Sequence, residues 1–147
     1  MIEAYGSRTQ RPASGPRDAD DELLVALYRE HADAAREQIL RCSSVEGTCV
    51  VLDLRKEEVI HPTNRFMVYA LHPQTTVSIH VLWGLRHQNT VFAVGKSIVD
   101  RSSPLDVGAL MLEHGGGGHE AAGTCQINND RAAAVQRELV DRIVAAG

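Results

Sequence analysis

The stretch from Thr75 to Val99 constrains the fold more than any other part of the chain. "TTVSIHVLW" alternates along its length: Val77, Ile79, Val81 and Trp83 fall on one side, Thr76, Ser78 and His80 on the other. Successive side chains of a strand point to opposite faces, so a period of two describes a half-buried strand. "GLRHQN" then turns the chain and "TVFAVGKSIV", residues 90–99, returns as a second apolar, β-branched run. The pair predicts an antiparallel hairpin.

The rest of the chain supplies the layers around it. "GTCVVLDLR", residues 47–55, is a nearly continuous apolar run suited to a central strand. Before it, residues 20–42 read as a connector helix capped by Asp20 or Asp21, with Leu24, Leu27, Tyr28, His31, Ala35 and Ile39 near helical spacing. His31 on that stripe reads as a packed histidine. "NRFMVYALHP", residues 64–73, is a short helix stopped by its proline. "PLDVGALMLEH" is a helix with Pro104 at its first position behind a serine cap and a stripe of Val107, Leu110, Met111 and His114. "HEAAG" is a short turn and "TCQI", residues 124–127, a strand. The last twenty residues form an amphipathic helix on Ala132, Val135, Leu139, Val140, Ile143 and Val144. Residues 1–19, rich in Arg, Ser, Gly and Pro, read as a disordered lead or linker. The order α-β-α-β-β-α-β-α predicts an α/β (α+β) domain, with a mixed sheet of about four to five strands and helices packed on it.

Composition narrows the function classes. A formal charge of -4 argues against a protein that coats long nucleic acids, and leaves room for a short anionic ligand at one pocket. Aromatic residues make up 4%, so the core rests on aliphatic side chains. Cys42, Cys49 and Cys125 form no CxxC pair, and the last two lie in strand-like runs as buried reduced thiols. His61, His72, His80 and His87 show no i, i+4 pairing and suggest no zinc site. No signal peptide or membrane-length apolar run is visible, which points to a cytoplasmic protein without membrane contact.

"LMLEHGGGGHEAAGTCQI" carries the candidate chemistry. Gly115, Gly116, Gly117 and Gly118 stand between His114 and His119. One glycine suffices to end a helix in a left-handed cap, so four suggest a second cause. Consecutive bare amides can form an anion-binding concavity. A helical turn at His119–Ala122 would add its free N–H groups to the same field. His119 would then sit at the rim, able to donate to phosphate or move a proton. The bland alternative is a flexible hinge beside an exposed histidine. Arg101, with Ser102 and Ser103 beside it between a strand and a helix, is a second phosphate candidate; the alternative there is an ordinary solvated arginine. Lys96 carries less weight, since lysines commonly fringe strands.

"GGGGHEAAG" resembles the GGGGHxxAAG signature of the DHH-associated domain, the C-terminal half of DHH-family phosphoesterases. These include RecJ-type exonucleases, nanoRNases with pAp phosphatase activity, cyclic-dinucleotide phosphodiesterases and exopolyphosphatase-like proteins. "NRFMVYALHP" and "VGKSIVDRSSPLDVGALMLEHGGGGHEAAGTCQI" extend the likeness, most of all to the exopolyphosphatase-related branch, over roughly residues 45–145. The resemblance implies that residues 45–147 grip a substrate's phosphates and terminal nucleotide through Arg101, Ser102, Gly115 to Gly118 and His119. It further implies that a separate DHH domain holds two divalent metals, usually manganese, and hydrolyses. Where family members usually carry Asn, this chain has Asp100. It contains no DHH triplet, and "DADD" at 18–21 offers one acidic cluster without partner histidines. Two-metal hydrolysis needs ligands fixing both ions ~4 Å apart. By itself the chain is therefore expected to bind a short phosphorylated ligand or oligonucleotide and not to hydrolyse it. The other readings are an enzyme completed in trans by a DHH partner, and a structural or homodimerising module with a relic glycine loop.

Overall fold

The computed structural model describes residues 16–61, 65–98 and 100–147; residues 1–15, most of the expected lead, lie outside them. Helix α1 (Pro16–Cys42) begins four residues before its expected start. It is followed by β1 (Ser43–Glu46), β2 (Cys49–Asp53), α2 (Arg65–Leu71), β3 (Val77–Trp83), β4 (Asn89–Lys96), α3 (Val107–Glu113), β5 (Gly117–His119), β6 (Ala122–Asn128) and α4 (Asn129–Ala146). The strands form one mixed six-stranded sheet in the order β1-β2-β3-β4-β6-β5. Only β2 and β3 run parallel, with α2 in their connection; every other neighbouring pair is antiparallel.

Alternation decides which face each strand buries. Val77, Ile79 and Val81 of β3, Phe92 and Val94 of β4, and Cys125 and Ile127 of β6 point to one face. There they meet Val107, Leu110 and Met111 of α3 and Ala132, Val135, Leu139, Val140 and Ile143 of α4. A smaller core on the opposite face joins Val50 and Leu52 of β2 to Ile39 of α1 and Val68 of α2. That second layer covers the β2 side of the sheet. Over β5 and β6 the same face is open, and Gly117, His119, Thr124 and Gln126 are all exposed.

Several local expectations change. Two strands were not foreseen: β1, a short polar partner of β2, and β5, made of two glycines and a histidine. The expected 124–127 strand extends to Ala122–Asn128. The β3–β4 turn holds Arg86 and His87 in the left-handed region, at φ 54° and 59°. His87 stacks on Trp83 with ring centroids 4.7 Å apart, and its carbonyl accepts from Asn129 Nδ2 at 2.9 Å. Pro104 is not the first residue of α3. The Asp106 carboxylate caps that helix by accepting from Ala109 N at 3.1 Å, while the Val107 N–H donates to the Glu120 carbonyl at 3.0 Å. On α1, Ala35 and Ile39 are buried, but His31 and the apolar residues Leu24, Leu27 and Tyr28 are exposed. The stripe is present; its first half has no cover among the described residues. Among those residues, no helix is long and apolar enough to cross a membrane.

Candidate functional site

The glycine run builds a hairpin. Helix α3 ends as His114 N donates to Met111 O, Gly115 N to Leu112 O and Gly116 N to Met111 O, with Gly115 at φ 83°. The chain then enters β5, turns at Glu120 and Ala121, and returns as β6, pairing Gly117 with Thr124, Gly118 with Gly123 and His119 with Ala122. The expected helical turn at His119–Ala122 is thus a strand end and a two-residue hairpin turn. No helix N-terminus forms there, and no row of helical amides adds to the field.

Close approach explains two of the glycines. A Cβ on Gly116 would lie 2.0 Å from the Thr124 carbonyl oxygen, and one on Gly118 2.4 Å from that of Ala122. From above, α3 presses in through Gly108, where a Cβ would meet the carbonyl oxygens of Gly118 and His119 at 2.8 and 2.9 Å. Gly117 differs, since a Cβ there meets nothing within 4 Å. Opposed residues in a ladder share a face, so Gly117 lies with Thr124 and the His119 side chain with Ala122. Continuing across β6 and β4, Ala122 opposes Gly95 and Thr124 opposes Ala93. The open face near His119 is therefore floored by small residues. His119 is exposed, and its Nδ1 accepts from the Ala121 N–H at 3.3 Å.

Arg101 and Ser102 lie on the loop from Ser97 to Asp106, at the sheet end where β4 and β5 finish and β6 begins. Both are exposed. Arg101 Nε donates to Ile98 O at 3.3 Å. Asp100 turns to Ser102, accepting its N–H on Oδ1 at 3.1 Å. Hydrogen bonds from the Ser102 hydroxyl and N–H hold the Asp100 carboxyl below the usual carboxylate range.

Lys96 joins loop and hairpin. It is 9% exposed, and its Nζ donates to Ser103 O at 3.2 Å, Leu105 O at 2.8 Å and Glu120 Oε2 at 2.8 Å. Its own N–H donates to Ala121 O at 2.9 Å. One ammonium thus fixes the Arg101 loop to the turn that follows His119, satisfying two carbonyls that would otherwise stay unpaired near the core. Sequence reasoning gave this residue little weight. The signal was present, because Lys96 has the parity of Phe92 and Val94, the side of β4 that faces the core.

Beside the loop lies a cavity of about 200 Å³, lined by Phe66, Tyr69, Pro73, Thr75, Ser97 and Asp100 among others. The Tyr69 hydroxyl donates to Gly95 O at 2.8 Å and lies 3.1 Å from Ser78 Oγ, which fixes the ring as a wall. Among the described residues, no group of three or more His, Cys, Asp or Glu side chains is placed to hold a metal ion.

The arrangement defines a mixed α/β domain with one closed sheet face and a small cavity between α2 and the loop after β4. No protein-family model and no curated protein sequence matches the chain. Solved structures do. A pGpG-specific phosphodiesterase, PggH from Vibrio cholerae, is 54% identical over 84% of this chain with a TM-score of 0.80. The DHH domain of a protein described as a member of the s1p family of ribosomal proteins shares the fold, with a TM-score of 0.59 at 12% identity over 84% of the chain. The chain spans 42% and 32% of the lengths of these two. The first is similar in sequence and fold, and the second shows a shared fold alone.

Proposed function

We propose that residues 45–147 are the DHH-associated, substrate-gripping part of a phosphoesterase, and that they hold the phosphates and terminal nucleotide of a short phosphorylated ligand. The observation that carries this reading is the Lys96 clamp. It ties the loop bearing Arg101 and Ser102 to the hairpin bearing Gly117 and His119, so that a guanidinium, a hydroxyl and an imidazole are exposed at one end of the sheet. The 54% identity to a phosphodiesterase specific for pGpG supports a dinucleotide as the ligand class. In place of a nest of glycine amides, we assign phosphate contact to Arg101, Ser102 and His119, with Gly117 keeping the approach clear.

Hydrolysis is not assigned to these residues. The manganese implied by the family resemblance finds no fitting donor set among the described residues. Metal chemistry therefore belongs, on this reading, to a DHH domain that meets this one. Binding should be weak and salt-sensitive, at ~10⁻⁴ to 10⁻⁶ M, the scale of phosphate-dominated contacts. The test is an amide-resolved NMR titration of the 147-residue chain with pAp. Shifts confined to 100–103 and 115–121 are expected. Their absence at millimolar ligand overturns the proposal.

A further inference from the structure

We propose that the cavity beside Asp100 is a guanine-selective base pocket, with Phe66 as its stacking surface and the Asp100 carboxylate as its reader. The inference rests on the phosphate-binding reading above, because the pocket and the phosphate contacts share the loop that carries Asp100, Arg101 and Ser102.

Size and lining come first. At about 200 Å³ the cavity is smaller than the ~300–1,000 Å³ pockets that take drug-sized ligands, and suits a single heterocycle. Phe66 lines it while 56% exposed, a position that wastes a large apolar ring unless something flat covers it. Tyr69 is 4% exposed and held by its hydroxyl, so it forms a rigid second wall. Base–aromatic stacking is sequence-tolerant, so these rings retain a base without choosing one.

Asp100 makes the choice. An ionised carboxylate only accepts, with about four lone-pair sites on two oxygens. Ser102 uses two of them, through its N–H on Oδ1 and its hydroxyl, leaving capacity for two more donors. Guanine alone among the common bases presents two adjacent donors on its Watson–Crick edge, the ring N1–H and the exocyclic amino group. Adenine would set its ring N1 lone pair against the carboxylate. Hydrogen bonds to an ionised acceptor are roughly twice as strong as neutral ones, and the wrong base also faces repulsion. Neighbouring Arg101 is then placed for the phosphate of the same nucleotide, so one short loop reads base and charge together.

The test is calorimetric titration of the 147-residue chain with pGpG, pApA and inorganic pyrophosphate. The wild type should bind pGpG at least ~10-fold tighter than pApA, within the range a bidentate base contact supplies. Asp100→Asn keeps an oxygen to accept from Ser102 and so keeps the loop, but turns one acceptor into a donor. It should bring the two dinucleotides within about threefold of each other. Phe66→Ala should weaken both while leaving the ratio between them near that of the wild type. Equal affinities in the wild type, or a preference that survives Asp100→Asn, overturn the pocket assignment; pyrophosphate binding in that case leaves the phosphate reading standing. If neither dinucleotide nor pyrophosphate binds, both fall.

Discussion

Gly116 and Gly117 are neighbours in sequence and opposites in structure, so their alanine variants separate packing from binding. A Cβ on Gly116 would sit 2.0 Å from the Thr124 carbonyl oxygen and 2.7 Å from Cys125 Cα. Those are backbone atoms of β6, which is paired with β4 on its other side and cannot swing away as a side chain would. Overpacking typically costs ~1–3 kcal/mol, and against a fixed ladder the upper end applies. Gly116→Ala should therefore lose about 3 kcal/mol, or ~6–12 °C in Tm for a domain of this size. At Gly117 the added methyl enters open space. Replacing glycine where alanine fits stabilises by ~0.4–1 kcal/mol through the unfolded chain, so Tm should hold or rise slightly. Binding should invert this order. A methyl at 117 stands on the open face next to His119 and should weaken pAp at least ~10-fold, about 1.4 kcal/mol. Thermal melts followed by circular dichroism and titration calorimetry read the two effects separately. If Gly117→Ala melts as low as Gly116→Ala, the β5–β6 register is wrong. If it melts like the wild type and binds pAp equally well, the ligand does not use that face.

Lys96→Met keeps the aliphatic stem but orphans the Ser103 and Leu105 carbonyls, at ~1–3 kcal/mol for each buried polar group left unpaired. A urea midpoint corresponding to a loss of ~2–4 kcal/mol is expected. Glu120→Gln should cost no more than ~1 kcal/mol, because that carboxylate is 72% exposed. Arg101→Ala should leave Tm within about 1–2 °C, as the side chain is exposed, yet weaken pAp ~10-fold and flatten the salt dependence; unchanged affinity removes Arg101 from the site. Burial pushes the Cys49 thiol up to about 12 and the Cys125 thiol up to about 11, from an ordinary 9.0. Their folded values lie above their unfolded ones. The stability they contribute is thus fully present below pH 9 and is lost as pH rises through 9 toward 11–12. Urea midpoints from pH 8 to 11 should fall, and less steeply in Cys49→Val. In the native state a thiol reagent should label half-buried Cys42 before the other two.

Elements that bury a regular face were legible, and those defined by backbone contact were not. The period of two in Val77–Val81 and the stripe from Ala132 to Ile143 give the hairpin and the last helix directly, because burial acts on side chains at fixed spacing. β1 reads "SSVE", three exposed residues and one half-buried, so no hydrophobic period marks it. β5 has hardly any side chains to carry a pattern, so nothing in its glycines marked the ladder it forms with β6. Leu24, Leu27 and Tyr28 follow helical spacing as faithfully as Ile39, but periodicity records which face is apolar and not what covers it. At the candidate site, Arg101 and His119 were singled out from residue type and neighbours. Lys96 was passed over, because a lysine on a strand is usually solvated, and only its parity with Phe92 betrayed an inward ammonium. Phe66, Asp100 and the cavity between them depend on α2 lying against the loop after β4, a contact between segments more than twenty residues apart. No local pattern encodes that.

The four glycines that first suggested a phosphate nest turn out to have separate causes. Gly115 takes a positive φ at the end of α3, where a left-handed residue closes the helix on its own carbonyls. Gly116 and Gly118 let β5 lie against β6 at distances no Cβ would permit. All three are required by the hairpin and would be required in a protein that bound nothing. Gly117 has no such cause. Its φ is unexceptional, nothing lies within 4 Å of where its side chain would be, and glycine in a strand costs ~0.5–1 kcal/mol relative to alanine. A bare position that the fold does not need, set on the open face beside an exposed histidine, is what a ligand approaching closely would require. The functional case therefore rests on Gly117 and His119 and not on the run as a whole. Most of the glycine run is architecture, and Gly117 alone of the four is left over for a ligand to approach.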